Sequence, residues 1–141
     1  MHYIRKIMSY ININTRQTLI VNSESSLQEA VVRYLRKTDL LYTATLGGFL
    51  DSDLARISAV KQGYGGNFRK GVPDLIIYTP NNNYNMLAIE LKNPNGFGTV
   101  TKEQIKWLNM LEIECKTFTL VSNDLCEIIE VITKYINGIL N

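Results

Sequence analysis

Two apolar runs, PDLIIYT at 73–79 and MLAIELK at 86–92, carry charge where buried strands ordinarily carry only hydrophobes. Asp74 opens the first, and Glu90 and Lys92 close the second. Side chains alternate along a strand, so Met86, Ala88, Glu90 and Lys92 share one face while Leu87, Ile89 and Leu91 share the other. One face is core and the other ends in charge. A hard cation such as Mg²⁺ takes oxygen ligands, usually one or two protein carboxylates with water and substrate phosphate completing the set. Asp74 and Glu90 fit as those ligands. Lys92 can orient or deprotonate a water that attacks phosphorus, a step a metal assists by lowering the pKa of that water. By itself E-x-K on a strand is more often a surface ion pair, and Asp after Pro is ordinary turn chemistry. Together and in order, at the ends of two strongly apolar strands, they point to a site. Strand geometry permits Asp74 and Glu90 to be neighbours without fixing them so.

The elements that must hold these residues follow from periodicity. Residues 1–22 alternate weakly, with apolar Ile11 and Ile13 in YININ and then TLIV, which predicts an N-terminal extension of one or two short strands. The main domain spans 23–141. Leu27, Ala30, Val31, Tyr34 and Leu35 form the apolar stripe of a helix over about 24–37, entered through serines. A strand-like piece, a turn at Gly47 and Gly48, a short helix from Ser52 to Lys61 and a Gly-rich basic loop follow. PDLIIYT and MLAIELK, joined by PNNNYN, read as a β-hairpin. After a loop, TKEQIKWLNMLEIE reads as a helix with Ile105, Leu108 and Leu111 or Ile113 inward, and KTFTLVS as a strand. The last helix places Leu125, Ile128, Ile129, Ile132 and Ile136 on one face, behind the capping candidates Ser122 and Asn123. The order helix, hairpin, helix, strand, helix predicts an α/β fold, a mixed central sheet flanked by helices.

The chain has 141 residues, enough for one domain with its own core, and 45% hydrophobic and 20% charged residues mark it as folded. A formal charge of +2 permits nucleic acid as a partner only through local placement of cations. The N-terminus does not read as a signal peptide and no apolar run approaches a membrane span, so an intracellular, soluble protein with no membrane partner is expected. Cys115 and Cys126 form no CxxC pair and are expected to be reduced core residues. With His2 the only histidine, there is no zinc ligand set and no serine or cysteine triad. Catalysis would have to run on carboxylates and lysines.

GVPDL followed by AIELK resembles the PD-(D/E)xK nuclease signature, and its surroundings resemble the virus-type replication-repair nuclease (VRR-NUC) family. The opening E-x-x-L-Q is matched from Glu24 to Gln28, K-G-x-P-D-L from Lys70 to Leu75, I-E-L-K from Ile89 to Lys92, and T-x-E-Q-x-x-W-L from Thr101 to Leu108. The resemblance covers about 23–137 and implies a restriction-endonuclease-like fold with metal-dependent DNA endonuclease activity. It implies Glu24, Asp74, Glu90 and the Leu91 backbone carbonyl around Mg²⁺ or Mn²⁺, Lys92 activating water, and Gln28 and Gln104 in support. Glu24 in a first helical turn is also favoured by the helix dipole. Thr101 and Gln104 also make a capping box, and the two roles of Gln104 can coexist. Trp107 reads as core rather than as a stacking platform for bases. Arg69 and Lys70, with Lys61, Lys102 and Lys106, are candidate phosphate contacts.

Stand-alone relatives of this kind resemble homodimers that cut branched DNA such as four-way junctions, because two symmetric cuts need two sites. A viral or phage protein acting in a host cell fits that reading. The alternatives are a flap or nicking nuclease within a larger assembly, and a non-catalytic DNA-binding module, against which the intact Asp74, Glu90 and Lys92 argue.

Overall fold

The computed structural model describes residues 9–12, 17–45, 50 and 52–140. The Gly47–Gly48 turn, His2 and Ile13 lie outside them. The chain divides into two compact units, one of Met1–Asp39, Leu91–Gly98 and Val121–Asn141, the other of Leu40–Glu90 and Thr99–Leu120.

In the first unit, β1 (Ser9–Asn12) and β2 (Gln17–Ile20) form an antiparallel pair separate from the main sheet. Helix α1 (Glu24–Leu35) starts at Ser23, whose hydroxyl accepts from the Ser26 amide while the Ser26 side chain reaches back to the Ser23 amide. That reciprocal capping satisfies two amide donors that the first helical turn would otherwise leave open. Leu27, Ala30, Val31 and Leu35 are buried. Helix α4 (Leu125–Ile136) packs on α1, and the Tyr34 and Thr133 hydroxyls hydrogen-bond at 3.0 Å. Its cap is Asp124, which accepts from the Cys126 amide, rather than Ser122 or Asn123. Ser122 instead accepts from the Asp124 amide and donates to Glu127. The buried stripe is Leu125, Ile128, Ile132 and Tyr135, while Ile136 is 45% exposed. At 3.6 residues per turn either Tyr135 or Ile136 could follow Ile132, and the tyrosine takes the inward place. Cys126 is exposed and Cys115 half-buried, so neither is the core residue its type suggested.

The second unit contains β3 (Tyr42–Ala44), α2 (Asp53–Lys61), a single 3-10 turn at Gly66–Phe68, β4 (Leu75–Ile77), most of β5 (Met86–Leu91), α3 (Lys102–Cys115) and most of β6 (Thr117–Ser122). The sheet order is β3-β4-β5-β6. The first two pairings are antiparallel. Asn85 donates to the Lys116 carbonyl and Lys92 to the Ser122 carbonyl, each at 2.9 Å, so β5 and β6 advance in the same direction. Helix α3 is the crossover that a parallel pair requires, and the sheet is mixed as expected. At the hairpin tip the Asn81 side chain accepts from the Asn83 and Tyr84 amides, the asparagine turn chemistry of PNNNYN.

Leu87, Ala88 and Ile89 are fully buried, so both faces of β5 are covered. Helix α3 buries Leu108 alone, while Ile105 is 46% and Ile113 79% exposed, contrary to the inward positions expected for them. The less exposed face is Gln104, Trp107, Leu108 and Leu111. Its leading position is polar, which shifts the stripe by one residue from where the isoleucines place it.

These burials set the stability of the fold. Ile89→Ala, at the centre of β5, should lower the unfolding free energy by about 2–4 kcal/mol, and Ile113→Ala by no more than about 0.5 kcal/mol, both read from urea denaturation. Equal losses would contradict the assignment of inward faces.

Candidate active site

The β4–β5 register sets Leu75 opposite Ile89, Ile76 opposite Ala88 and Ile77 opposite Leu87. The ladder ends at Leu75, and continuing its register by one residue brings Asp74, the bend just before β4, level with Glu90 on β5. The Asp74 carbonyl accepts from the Thr45 amide at 2.9 Å, and the Thr45 hydroxyl donates to the Pro73 carbonyl at 2.8 Å. Pro73 is itself buried. The backbone carrying Asp74 is therefore pinned to the chain leaving β3.

Glu90 is 3% exposed. A carboxylate removed from water needs compensating donors, and Gln104 supplies one: its Nε2 donates to Glu90 Oε1 at 2.6 Å. The same amide accepts from the Thr101 amide through its Oε1 at 2.9 Å, while the Thr101 hydroxyl accepts from the Gln104 amide. Gln104 thus caps α3 and holds Glu90 at once, each function using a different atom of the side-chain amide.

Like charges directly opposite on paired strands repel, and a third group registers both. Tyr64, in the loop between α2 and β4, has its hydroxyl pKa raised, first by burial, then by the negative charge of Asp74 and of Glu90. The phenol stays a neutral donor, and both carboxylates lie within electrostatic reach of it. Sequence reasoning missed Tyr64. The available signal was an aromatic hydroxyl between the glycines of QGYGG, a composition that reads as a plain surface loop.

The basic loop is fastened to α3. Trp107 Nε1 donates to the Lys70 carbonyl at 3.1 Å, and the Phe68 ring meets the Trp107 ring edge-on at 5.9 Å. Lys106 Nζ sits 5.8 Å from the centre of the Phe68 ring, a cation–π contact. Lys70 pairs with Glu103 at 3.8 Å while 70% exposed, an ion pair of little energetic consequence. Gly71 has φ +87°, and a Cβ there would come within 2.6 Å of the Glu103 carbonyl carbon. Only glycine lets the chain pass α3 so closely on its way to Asp74. Trp107 is half-buried and works as a fastener. Arg69 is exposed, as is Lys102 in the first turn of α3.

The remaining predicted residues belong to the first unit. Glu24 is the first residue of α1 and exposed, and Gln28 stands one turn on, half-buried. Leu91 ends β5, fully buried. Lys92 is 7% exposed. Lysine is almost never so buried unless it is paired. Among the described residues no group of three or more His, Cys, Asp or Glu side chains is arranged to hold a metal ion. What the second unit offers is the pair Asp74 and Glu90. Two oxygen-bearing carboxylates, held opposite each other at a cost a cation removes, fit an ion that ordinarily takes one or two from protein. Among the described residues no helix is long and apolar enough to cross a membrane.

Comparison with known proteins identifies the fold and the family. A solved VRR-NUC domain protein matches with a TM-score of 0.60 over 82% of this chain and 88% of its own, at 22% identity, which establishes a shared fold. No curated protein shows significant similarity. The VRR-NUC domain model matches residues 14–120, reaching into the N-terminal segment and taking in Asp74, Glu90, Lys92 and Gln104. With that span matched, the chain belongs to the VRR-NUC domain family, and a nuclease-type function acting on DNA follows from the membership.

Proposed function

We propose that this protein is a divalent-metal-dependent endonuclease that hydrolyses phosphodiester bonds in branched DNA such as four-way junctions, working as a homodimer. The observation that carries the reading is the pairing of Asp74 with Glu90 by strand register, with both charges felt at Tyr64. Asp74 and Glu90 would hold Mg²⁺ or Mn²⁺. The ion supplies Lewis-acid stabilisation of the phosphate and a lowered pKa for the attacking water.

The chain's own residues do the rest. Gln104 fixes the rotamer of Glu90 by donating to one of its oxygens. Thr45 fixes the backbone of Asp74. Lys92 orients the attacking water, and its near-complete burial sets it apart from a solvated surface lysine. Arg69 and Lys70, carried on the loop that α3 fastens, contact the DNA backbone, with Lys102, Lys106 and Gln28 as further contacts. A dimer follows from the substrate: two opposed cuts in one junction need two sites related by a two-fold axis.

The test is a cleavage panel of junction, flap, splayed and linear duplex DNA. The junction is expected to be cut with Mg²⁺ or Mn²⁺, and not in EDTA or with Ca²⁺. Lys92→Ala should cost about 10² in rate, the contribution of a positioned proton-transfer group, and Lys92→Arg should not restore it. Full cleavage in EDTA would end the metal reading, and preference for flaps would replace the junction with the flap substrate.

The two roles of Gln104 can be separated. Thr101→Ala removes the cap alone and should cost about 1 kcal/mol of stability with little change in rate. Gln104→Ala removes the cap and the Glu90 contact, and should cost similar stability but at least about tenfold in cleavage, roughly 1.4 kcal/mol of barrier. Equal rates in the two variants would reduce Gln104 to a helix cap.

A further inference from the structure

Helix α2 buries no residue at all, with Leu54 81% and Ile57 54% exposed, so it adds little to the core. Its Arg56, Ile57, Val60 and Lys61 share one face, being a turn apart in pairs. With Asn67 and Arg69 from the following loop they line a cavity of about 710 Å³. Arg56, Lys61 and Arg69 bring three positive charges into it, and among the described residues no carboxylate lines it. Cations gathered around one hollow repel, and an anion relieves that repulsion, the more so beside apolar walls that exclude water.

The cations are also held in place. Arg56 Nε donates to the Leu50 carbonyl at 2.6 Å, which anchors the guanidinium. Arg69 has φ +63°, a left-handed conformation that side-chain-bearing residues rarely adopt. Its amide is tied back to the Gly65 carbonyl at 3.0 Å. Backbone strain of this kind persists where a ligand site requires it. The same loop carries Tyr64 into the field of Asp74 and Glu90, so the cavity and the carboxylate pair share one short segment of chain.

We propose that the cavity between α2 and this loop is a second anion subsite, which holds a non-scissile backbone phosphodiester of the DNA between Arg56, Lys61 and Arg69, with the sugar against Ile57 and Val60. The proposal rests on the nuclease reading above and adds Arg56 and the α2 face to it.

Binding is measured in EDTA, without cleavage, by fluorescence anisotropy of labelled junction DNA over a range of salt. For Arg56→Gln/Lys61→Gln the slope of log K against log salt should fall in magnitude by about one, the loss of one neutralised phosphate. Lys37→Gln, which does not line the cavity, should leave it within about 0.3 of wild type. An unchanged slope in the double variant overturns the subsite while wild-type binding upholds the nuclease reading, whereas wild type that binds no DNA defeats both. On the unmodified protein, thymidylyl-thymidine, which has an internal diester and no terminal phosphate, should give saturable NMR shifts at the Arg56 Nε–H and the Gly66 amide. A response to thymidine 5′-monophosphate and not to the dinucleoside overturns the proposal in favour of a strand-end site.

Discussion

A carboxylate that is 3% exposed organises the second unit. Burying Glu90 at the end of an apolar strand is unfavourable by several kcal/mol unless donors replace the lost water, and the side chains around it answer that demand. Gln104 donates to it through Nε2 while its Oε1 accepts from the Thr101 amide. The start of α3 is thereby tied to the end of β5. The loop before Asp74 is in turn tied to α3 through Trp107, Phe68 and the close passage at Gly71. Each contact narrows where the next residue can sit, which is how a site is held to the tolerance that catalysis needs.

The loop between α2 and β4 meets charge of both signs. Tyr64 responds to the acidic pair, while Arg69 joins Arg56 and Lys61 in a cationic hollow. Such an arrangement suits a polyanion whose scissile phosphate approaches carboxylates through a metal and whose neighbouring phosphates need cations directly. It also explains why a chain of formal charge only +2 can act on DNA: the positive charge is placed rather than accumulated.

Much of this was legible in the sequence because strands and hairpins announce themselves by apolar runs and turn residues. The β4–β5 hairpin, α1 and the order of elements follow from those patterns, and Asp74, Glu90 and Lys92 stand out because charge interrupts them. Register was not legible: a hairpin of this length accepts several, and only the ladder from Leu75 to Ile77 fixes which one, bringing Asp74 level with Glu90 when it is continued by one residue. Ile105 and Ile113 misled because periodicity counts apolar residues, whereas α3 turns Gln104 and Trp107 inward to make hydrogen bonds. Tyr64 and Arg56 were invisible for a related reason. The setting of Tyr64, and the placing of Arg69 beside Arg56 and Lys61, follow left-handed turns at Gly65 and Arg69, which composition marks only as loop.

The central claim is that Asp74 and Glu90 form one oxygen site rather than two separate surface charges. Mn²⁺ binding, followed by water-proton relaxation in wild type, Asp74→Asn, Glu90→Gln and the double variant, tests it without reference to any substrate. One shared site predicts that each single substitution weakens Mn²⁺ nearly as much as both together, by tenfold or more, about 1.4 kcal/mol. Undiminished binding in either single variant, or losses that simply add, would contradict it.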